Sequence, residues 1–513
     1  MVKQIKSFLE RYGIHTFLLP VFFVLHGYKQ YYGLVGIGLS LQILGELILY
    51  FLVFFLVVFA ITKNLNKSLQ LITLFGFIYL FYGAVKDFFQ LNLHASFFSK
   101  YSVLLPSLII LSIILARAIL KKKDFRKSNL FQNLLLLIFI LIDSILLAAY
   151  DSSYFLRRNL LAKNAHFTLD SLKIPQQKPD VYFLVFDSYP GTAFLKDYMQ
   201  FDNSPFNDTL KNRGFRVLAD PKSNYYWSAL SISSNLNFEY LESIKNFQRV
   251  SAKVYSDAAL TVQYSLVPKI FKHYNYKLYN LSVFDIDNTP PLHEEDFLSL
   301  SEREVLLYNT LSERMRRDLL WNLMVGKHAL PFIQRMEKRR QDNFAWGQTE
   351  KRDFNNIVID SLMKIPWQQT TSPKFVYAHV YLPHPPFFYD ENGSANELTT
   401  IFDEKSQESK PLFVSYLKYT NQVAIKIIDQ IMQASGGNAL IIFQSDHGFR
   451  DFRERRLHPR LFFKNYSAFY FPDKNYSSLY DTMSNINTFP VIFNKYFGTN
   501  IPLQQDSTVF LAP

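Results

Sequence analysis

The first 150 residues contain five apolar blocks, and these blocks restrict the fold of the chain more than any other feature. Several of them approach the roughly 20 residues that an α-helix needs to cross a bilayer. The blocks are Ile14–His26, Ser40–Ile61, Leu71–Phe88, Val103–Ile119 and Phe131–Tyr150. We therefore predict an α-helical membrane domain of about five helices over residues 1–150.

The loops between the blocks predict the orientation of this membrane domain. Lys and Arg are concentrated before the first block, between the second and third, and between the fourth and fifth. Short basic loops stay in the cytoplasm, so we expect a multi-pass protein of the cell membrane with an extracytoplasmic C-terminal part. If the first block does not span, the number of crossings is even and this orientation loses its support. Because the net charge of +12 lies partly in these loops, we expect no nucleic-acid partner.

Two carboxylates, Glu46 and Asp143, lie inside the apolar blocks. Charged residues are costly in a bilayer and are often functional there. The sequence shows no basic partner for either residue. We expect Glu46 to face a neighbouring helix beside Gly45, and Asp143 to lie among polar contacts between helices.

Two apolar runs in the rest of the chain each end on an acidic residue. Val181–Phe186 leads into Asp187, and Ala439–Phe443 leads through Ser445 into Asp446-His447-Gly448. Such runs are typical of buried strands in a parallel sheet, whose carboxyl ends bind ligands. Asp and His together can bind a metal. The alternatives are that each Asp only caps a following turn or helix and that the His only packs.

Further polar residues follow other predicted elements. Ser228 and Ser231 lie near the start of a predicted helix, where backbone N–H groups favour an anion, although a plain helix cap is the alternative. The strand-like run Lys374–Asp390 delivers His384 into a proline-rich loop, where it can contact substrate or serve only the turn. The basic run from Arg450 to Arg460 either steers an anionic substrate or is a solvated loop.

The remaining predicted elements carry no recognisable chemistry. Ser301–Arg340 is predicted to form amphipathic helices, Tyr416–Gln433 a helix that leads into the second apolar run, and Ala468–Phe471 a strand. The chain has no cysteine, which excludes disulfides, thiolate metal ligands and a cysteine nucleophile.

Taken in order, these polar residues resemble the alkaline phosphatase superfamily over about residues 178–500. The resemblance is to its membrane-anchored sulfatase-like branch, which includes lipoteichoic acid synthases and phosphoethanolamine transferases. It implies a central, mostly parallel α/β sheet in a catalytic domain over residues 179–513, after a linker over residues 151–178. It also implies one divalent metal ion, zinc or manganese. The implied metal ligands are Asp187, Ser228, Asp446 and His447, with Ser228 as nucleophile and with His384 and His458 contacting the transferred group or the leaving oxygen.

Three departures qualify the resemblance. Transferases of this type usually have Thr and Glu where this chain has Ser228 and Asp187, so Ser231 is a rival nucleophile. Sulfatases need a Cys/Ser-x-Pro-x-Arg motif, and the stretch from Ser228 to Ser231 lacks both the Pro and the Arg, which disfavours hydrolysis of sulfate esters. We find no Asp-x-x-x-His set for a second metal.

The function that the resemblance implies is transfer of a phospho-linked headgroup, of the phosphoglycerol or phosphoethanolamine type, through a Ser-bound intermediate. A membrane phospholipid would be the donor, and a lipid or glycan of the cell envelope the acceptor, at the outer face of the cytoplasmic membrane. One alternative is a sulfatase-like or phosphatase hydrolase of phosphate or sulfate esters. Another is a catalytically inactive envelope binding protein. The sequence leaves the oligomeric state open.

Overall fold

The chain divides into two compact units in a computed structural model. One unit contains residues 1–155 together with 298–337, and the other contains residues 156–297 and 338–513. The described residues are 2–32, 35–89, 97–149, 178–244, 252–291, 302–316, 352–397, 409–450 and 459–511, with isolated positions at 160–162, 167, 169, 172, 175 and 250.

The first unit is helical, as the apolar blocks predict. Among its described residues, four helices are long and apolar enough to cross a membrane. A fifth candidate is the pair Val2–Arg11 and His15–Gln30, which is bent by 94° at the break between the two helices. The four long helices are Ile37–Thr62, Leu65–Asp87, Tyr101–Lys121 and Arg126–Ala149. The prediction of about five membrane helices is therefore confirmed as four or five candidate spans.

A buried polar network joins three of these helices. The backbone N–H of His15 donates to Asn133 Oδ1 at 2.6 Å, and His15 Nδ1 lies 2.7 Å from Thr73 Oγ1. Gln70 donates to Asn129 Oδ1 at 2.9 Å. Apolar side chains gain little by leaving lipid for one another, so hydrogen bonds of this kind contribute to helix association in a membrane.

Both carboxylates of the apolar blocks have basic partners. Asp143 accepts a short hydrogen bond from Lys29 and lies 2.9 Å from His26 Nδ1. Glu46 forms a bidentate pair with Arg303, which donates from Nη1 at 3.1 Å and also from Nη2. These partners were not evident in the sequence because they lie more than 110 residues away along the chain. The prediction that Asp143 lies among polar contacts between helices is confirmed.

The described residues of the second unit form one mixed, mostly parallel sheet of six strands, which confirms the α/β prediction. Their order across the sheet is β2-β6-β5-β1-β4-β3, and β3, β4, β1 and β5 run parallel. The strands β2 and β6 are antiparallel to their neighbours. Their bounds are Val181–Phe186 (β1), Arg216–Val217 (β2), Lys277–Leu281 (β3), Lys374–Val380 (β4), Leu440–Gln444 (β5) and Ser467–Tyr470 (β6).

Helices accompany this sheet, and its central strands are buried throughout. Burial of both faces explains why β1 and β5 appear in the sequence as continuous apolar runs. The helices are Thr192–Asp197, Ser204–Asn212, Ser228–Asn237, Ala252–Gln263, Leu266–His273, 352–364, Lys410–Ser435 and Thr488–Tyr496. The predicted helix Tyr416–Gln433 lies inside Lys410–Ser435.

The register of the central strands places three polar residues at one edge. Val185 of β1 is paired with both His379 of β4 and Gln444 of β5. Asp187, two residues beyond Val185, donates its backbone N–H to the carbonyl of Val380 at 2.9 Å. The carboxyl ends of β1, β4 and β5 therefore meet at the same point.

Candidate metal centre

Asp187, Asp446 and His447 converge at this point. One potential ligand atom from each residue lies within 4.8 Å of the others, and all three residues are buried. His447 Nε2 is 3.7 Å from Asp187 Oδ1 and 3.4 Å from Asp446 Oδ2. Two carboxylates and one imidazole are a donor set that zinc accepts.

The hydrogen bonds of Asp446 leave one of its oxygens for a cation. Its Oδ1 accepts from the backbone N–H groups of Ser188 at 3.1 Å and His447 at 2.9 Å. Its Oδ2 is buried and accepts no hydrogen bond within the described part of the chain. A buried carboxylate oxygen in that condition is costly. A divalent cation would satisfy it, so these residues fit a metal.

The tautomer of His447 is set by a backbone carbonyl. Its Nδ1 lies 2.8 Å from the carbonyl oxygen of Gly448, which can only accept a hydrogen. Nδ1 therefore carries the proton in the neutral ring, and Nε2 presents its lone pair towards the two carboxylates. A metal-binding histidine is usually oriented in this way, by a hydrogen bond from the ring nitrogen that does not bind the metal.

The protonation states also suit metal binding. Burial acts to raise the pKa of Asp187, but the nearby imidazoles of His384, His379 and His447 outweigh it and lower that pKa. Burial lowers the pKa of His447, against the opposing effect of Asp446. The site thus favours an ionised carboxylate beside a neutral imidazole.

His379 belongs to this centre and was missed by the sequence reasoning. Its Nε2 lies 3.7 Å from Asp187 Oδ2 and 3.9 Å from Asp446 Oδ2, and the residue is fully buried in β4. In the sequence it is one residue of an alternating aromatic strand that leads to His384. The sequence places it near the carboxyl end of a predicted strand, but only the structure shows that this strand adjoins β1.

The two candidate serine hydroxyls make different contacts. Ser228 is the first residue of the helix Ser228–Asn237, and its Oγ lies 3.3 Å from His447 Nε2. Ser231 Oγ donates to the backbone carbonyl of Asp446 at 2.5 Å. The helix cap is Trp227, so Ser228 does not cap it. Asp187 is not a cap either, because Gly191 occupies that position in the next helix.

Gly448 holds the Asp446-His447 pair against a neighbouring loop. A Cβ at this position would lie 2.5 Å from the carbonyl oxygen of Lys464 and 2.8 Å from that of Leu461. The backbone N–H of Gly448 donates to the carbonyl of Phe462 at 2.7 Å. The glycine is needed here for close approach of the two backbones.

Two further groups lie near the centre. His384 is half-buried, and its Nδ1 lies 2.5 Å from the carbonyl oxygen of Pro385. The charge of its ring lowers the pKa of Asp187. The Arg450 guanidinium lies over the ring of Trp227, 5.0 Å from its centroid, and donates to the carbonyl of Tyr226. His458 and the other residues of the basic run up to that position lie outside the described residues.

The carboxyl edge of the mostly parallel sheet thus brings together two carboxylates and two imidazoles, and the hydroxyl of Ser228 reaches them from a helix. This set of groups could hold a metal, and it includes a hydroxyl that can act as a nucleophile. The sequence profile of the family described as Sulfatase matches residues 192–490, more than half of the chain. The chain belongs to this sulfatase family, within the alkaline phosphatase superfamily. No curated protein sequence matches it.

Several solved structures are similar to the chain. The C-terminal periplasmic domain of EcEptC from Escherichia coli, in complex with Zn, is 10% identical with a TM-score of 0.42 and covers 67% of this chain and 92% of its own. The integral membrane protein lipooligosaccharide phosphoethanolamine transferase A (EptA) from Neisseria meningitidis is 11% identical with a TM-score of 0.38 and covers 96% of each chain. The phosphonate monoester hydrolase of Agrobacterium radiobacter is 12% identical with a TM-score of 0.33 and covers 62% of this chain and 74% of its own.

Proposed function

We propose that this protein transfers a phospho-linked headgroup from a membrane phospholipid to a lipid or glycan acceptor through a covalent intermediate on Ser228. The observation that carries the proposal is the 3.3 Å distance between Ser228 Oγ and His447 Nε2, beside the converging Asp187 and Asp446. A hydroxyl in this position is a ligand and a nucleophile at once. Ser231 is engaged with the backbone of Asp446 and is the weaker candidate.

Asp187, Asp446 and His447 would hold one zinc or manganese ion together with Ser228. Such a metal lowers the pKa of a bound hydroxyl and neutralises charge on phosphoryl oxygens. The protein itself keeps Asp187 ionised through the nearby histidines and keeps Nε2 of His447 without a proton through the carbonyl of Gly448. The helix Ser228–Asn237 holds the serine in place. A covalent intermediate then divides one difficult transfer into two easier ones.

The bond changes balance as follows. Ser228 Oγ forms a bond to phosphorus, its hydroxyl proton passes to solvent, and the bond between phosphorus and the diacylglycerol oxygen breaks. The released oxygen takes up a proton, for which the half-buried His384 is the proposed donor. His458 is a second candidate from the sequence. In the second step the oxygen of the acceptor hydroxyl bonds to phosphorus and gives up its proton, the bond between phosphorus and Ser228 Oγ breaks, and Oγ takes up a proton.

Two further features favour an anionic substrate at Ser228. The serine begins a helix of ten residues, and the start of a helix favours a negative charge. The Arg450 guanidinium, which lies over the neighbouring Trp227, has no carboxylate partner among the described residues. Arginine matches phosphate geometry well, and we propose that Arg450 contacts a phosphoryl oxygen.

The candidate spans support a lipid donor. They lie on the same chain as the site, so the enzyme works where phospholipid headgroups are concentrated. The basic loops favour the outer face of the cytoplasmic membrane for the catalytic unit. The headgroup is proposed to be of the phosphoglycerol or phosphoethanolamine type.

The test uses the purified full-length protein, loaded with zinc or manganese and mixed with phospholipid vesicles. We expect diacylglycerol to form and the peptide that contains Ser228 to gain the mass of the headgroup phosphate. The Ser228→Ala variant should lose this labelling and Ser231→Ala should keep it. Labelling that persists in Ser228→Ala would exclude Ser228 as nucleophile. Release of free headgroup phosphate, with no modified acceptor when an acceptor is supplied, would instead indicate a hydrolase.

A further inference from the structure

Residues 302–316 pack within the helical unit and do not belong to the unit that contains the sheet. They fall between β3 and β4 in the sequence, yet residues 298–337 group with the helical unit. Two short helices, Glu302–Leu307 and Leu311–Met315, make up most of the described part. We call residues 302–316 the docking segment. The remainder of the predicted amphipathic region, residues 317–340, lies outside the described residues.

Two arginines of the docking segment pair with acids of the long helices. Arg303 forms a bidentate pair with Glu46, which lies inside the candidate span Ile37–Thr62. Arg314, which is buried, pairs with Asp87 at the end of Leu65–Asp87. A carboxylate inside an apolar helix is costly unless it has a partner. These ion pairs therefore neutralise the two acids, and they join the segment to two separate helices.

Glycines in the long helices allow the segment to approach closely. The backbone N–H of Gly83 donates to the carbonyl of Asn309 at 2.8 Å. A Cβ at Gly83 would lie 2.8 Å from the Cα of Asn309, and one at Gly27 would lie 2.6 Å from Leu306 Cδ1. Leu306 and Val305 are buried in the apolar core of the helical unit. Close backbone contact and apolar packing therefore hold the segment against the helices, in addition to the ion pairs.

All of these contacts fall at one side of the helical unit. The segment touches the end of His15–Gln30, the first third of Ile37–Thr62, the end of Leu65–Asp87 and Tyr101, whose hydroxyl donates to the carbonyl of Arg314 at 3.0 Å. If the four long helices cross the membrane in turn, these ends share one side. On the same assumption Arg126–Ala149 also ends on that side, and the unit that contains the sheet follows this helix in the sequence. The contacts therefore agree with the chain connectivity.

We propose that the docking segment is a second attachment between the catalytic unit and the membrane unit, and that the Arg303–Glu46 and Arg314–Asp87 pairs maintain it. The first attachment is the linker after the last span. The segment lies between β3 and β4 in the sequence, so the chain that leads to the strand carrying His379 passes through it. This proposal does not depend on the reaction that the site performs.

The test separates the two attachments by cutting the first. A specific protease site is inserted into the linker over residues 151–177 of the full-length protein, which carries a purification tag at its N-terminus. After cleavage in detergent, we expect the C-terminal fragment to co-purify with the tagged membrane helices. A wild-type fragment that is released on cleavage would overturn the proposal.

Charge reversal identifies the pairs responsible. Arg303→Glu with Arg314→Glu should release the fragment after cleavage, and Glu46→Arg with Asp87→Arg added to these changes should restore its retention. Restoration also shows that the reversed chain can fold. A fragment that stays bound with both arginines reversed would refute the role of the ion pairs.

Two glycines provide a matched control pair. Gly83→Leu should weaken retention, because it places atoms where the backbone of Asn309 now lies. Gly45→Leu should not, because a Cβ at Gly45 meets nothing within 4 Å. Equal retention in both variants would count against the fitted contact.

Discussion

The Nε2 atom of His447 lies 3.3 Å from Ser228 Oγ and 3.4 Å from Asp446 Oδ2, so one imidazole nitrogen faces both the hydroxyl and a carboxylate. Because Nδ1 of the same ring is held by the carbonyl of Gly448, this nitrogen has no proton to donate in the neutral ring. The Ser228 hydroxyl can donate a hydrogen bond to this nitrogen, but Asp446 Oδ2 accepts no hydrogen bond within the described residues. A cation bound between the carboxylate, the imidazole and the hydroxyl oxygen would satisfy that oxygen as well.

Ser231→Ala should reduce stability modestly and spare the reaction. The variant loses the buried hydrogen bond from Ser231 Oγ to the carbonyl of Asp446, which contributes about 1 kcal/mol to the free energy of unfolding. Chemical denaturation would measure this loss, and headgroup labelling would measure the reaction. If labelling vanishes in Ser231→Ala while metal content is unchanged, Ser231 is the nucleophile.

Asp446→Asn should abolish metal binding. The amide keeps the size of the side chain but supplies no negative charge, and Oδ2 is the oxygen left for a cation. The metal content of the purified variant, measured by elemental analysis, should fall close to zero. The matched control is Asp208→Asn, an exposed acid paired with Lys211, which should bind metal like wild type. Full metal content in Asp446→Asn would refute the site.

The same substitution should make the metal-free protein more stable. In the absence of metal, Asp446 keeps a buried carboxylate oxygen that accepts no hydrogen bond among the described residues and that lies close to a second carboxylate, Asp187, and both conditions are costly for a negative charge. Replacing one of them by a neutral amide removes this repulsion. We expect a higher Tm for metal-free Asp446→Asn than for metal-free wild type, and no further rise when zinc is added. A lower Tm in the absence of metal would contradict this account.

The sequence predicts those parts of the fold and site that depend on local pattern. Val181–Phe186 is found as a strand with these bounds, and Ala439–Phe443 is found as Leu440–Gln444. Because parallel strands present their carboxyl ends together, two acids that directly follow such strands could be expected to meet. Asp187 and Asp446 do so.

Contacts set by strand register or by distant packing were not predictable in this way. His379 enters the site because β4 pairs with β1 at Val185, and no local pattern shows this pairing. The partner of Glu46 is Arg303, 257 residues away, in a region that showed only an amphipathic pattern. The role of Gly448 also depends on a loop that returns after the site.

His379→Gln should weaken metal binding without removing it. The imidazole lies within 4 Å of both carboxylates, and groups that orient metal ligands typically contribute about 10–100-fold to metal affinity. Competition with a chelator of known affinity would measure the change. If His379 has only a structural role, the substitution should lower Tm and leave the metal affinity of the folded protein unchanged. Measuring both quantities therefore distinguishes a role in metal binding from a structural one.

Gly448→Ala should disturb the site through the backbone. The added methyl group would meet the carbonyl oxygens of Lys464 and Leu461 at less than 3 Å, so the loop or the Asp446-His447 pair must move. Overpacking of this kind costs about 1–3 kcal/mol in the free energy of unfolding. We expect metal affinity to fall together with stability, measured by chelator competition and denaturation. If metal affinity and the free energy of unfolding are both unchanged, the loop can move away from the methyl group without destabilising the protein.

Arg450→Ala should raise KM for the lipid substrate more than it lowers kcat. The guanidinium lies beside Trp227 and Ser228 but makes no contact with the Asp187–Asp446–His447 cluster that we identify, so its loss should remove binding of a phosphoryl oxygen and leave the metal in place. A charge-assisted contact of about 1.5–3 kcal/mol corresponds to roughly a 10–150-fold rise. Arg450→Lys should recover only part of this loss, because an ammonium group cannot bind phosphate in the bidentate manner of arginine. Normal KM with reduced metal content would instead place Arg450 among the residues that support the metal site.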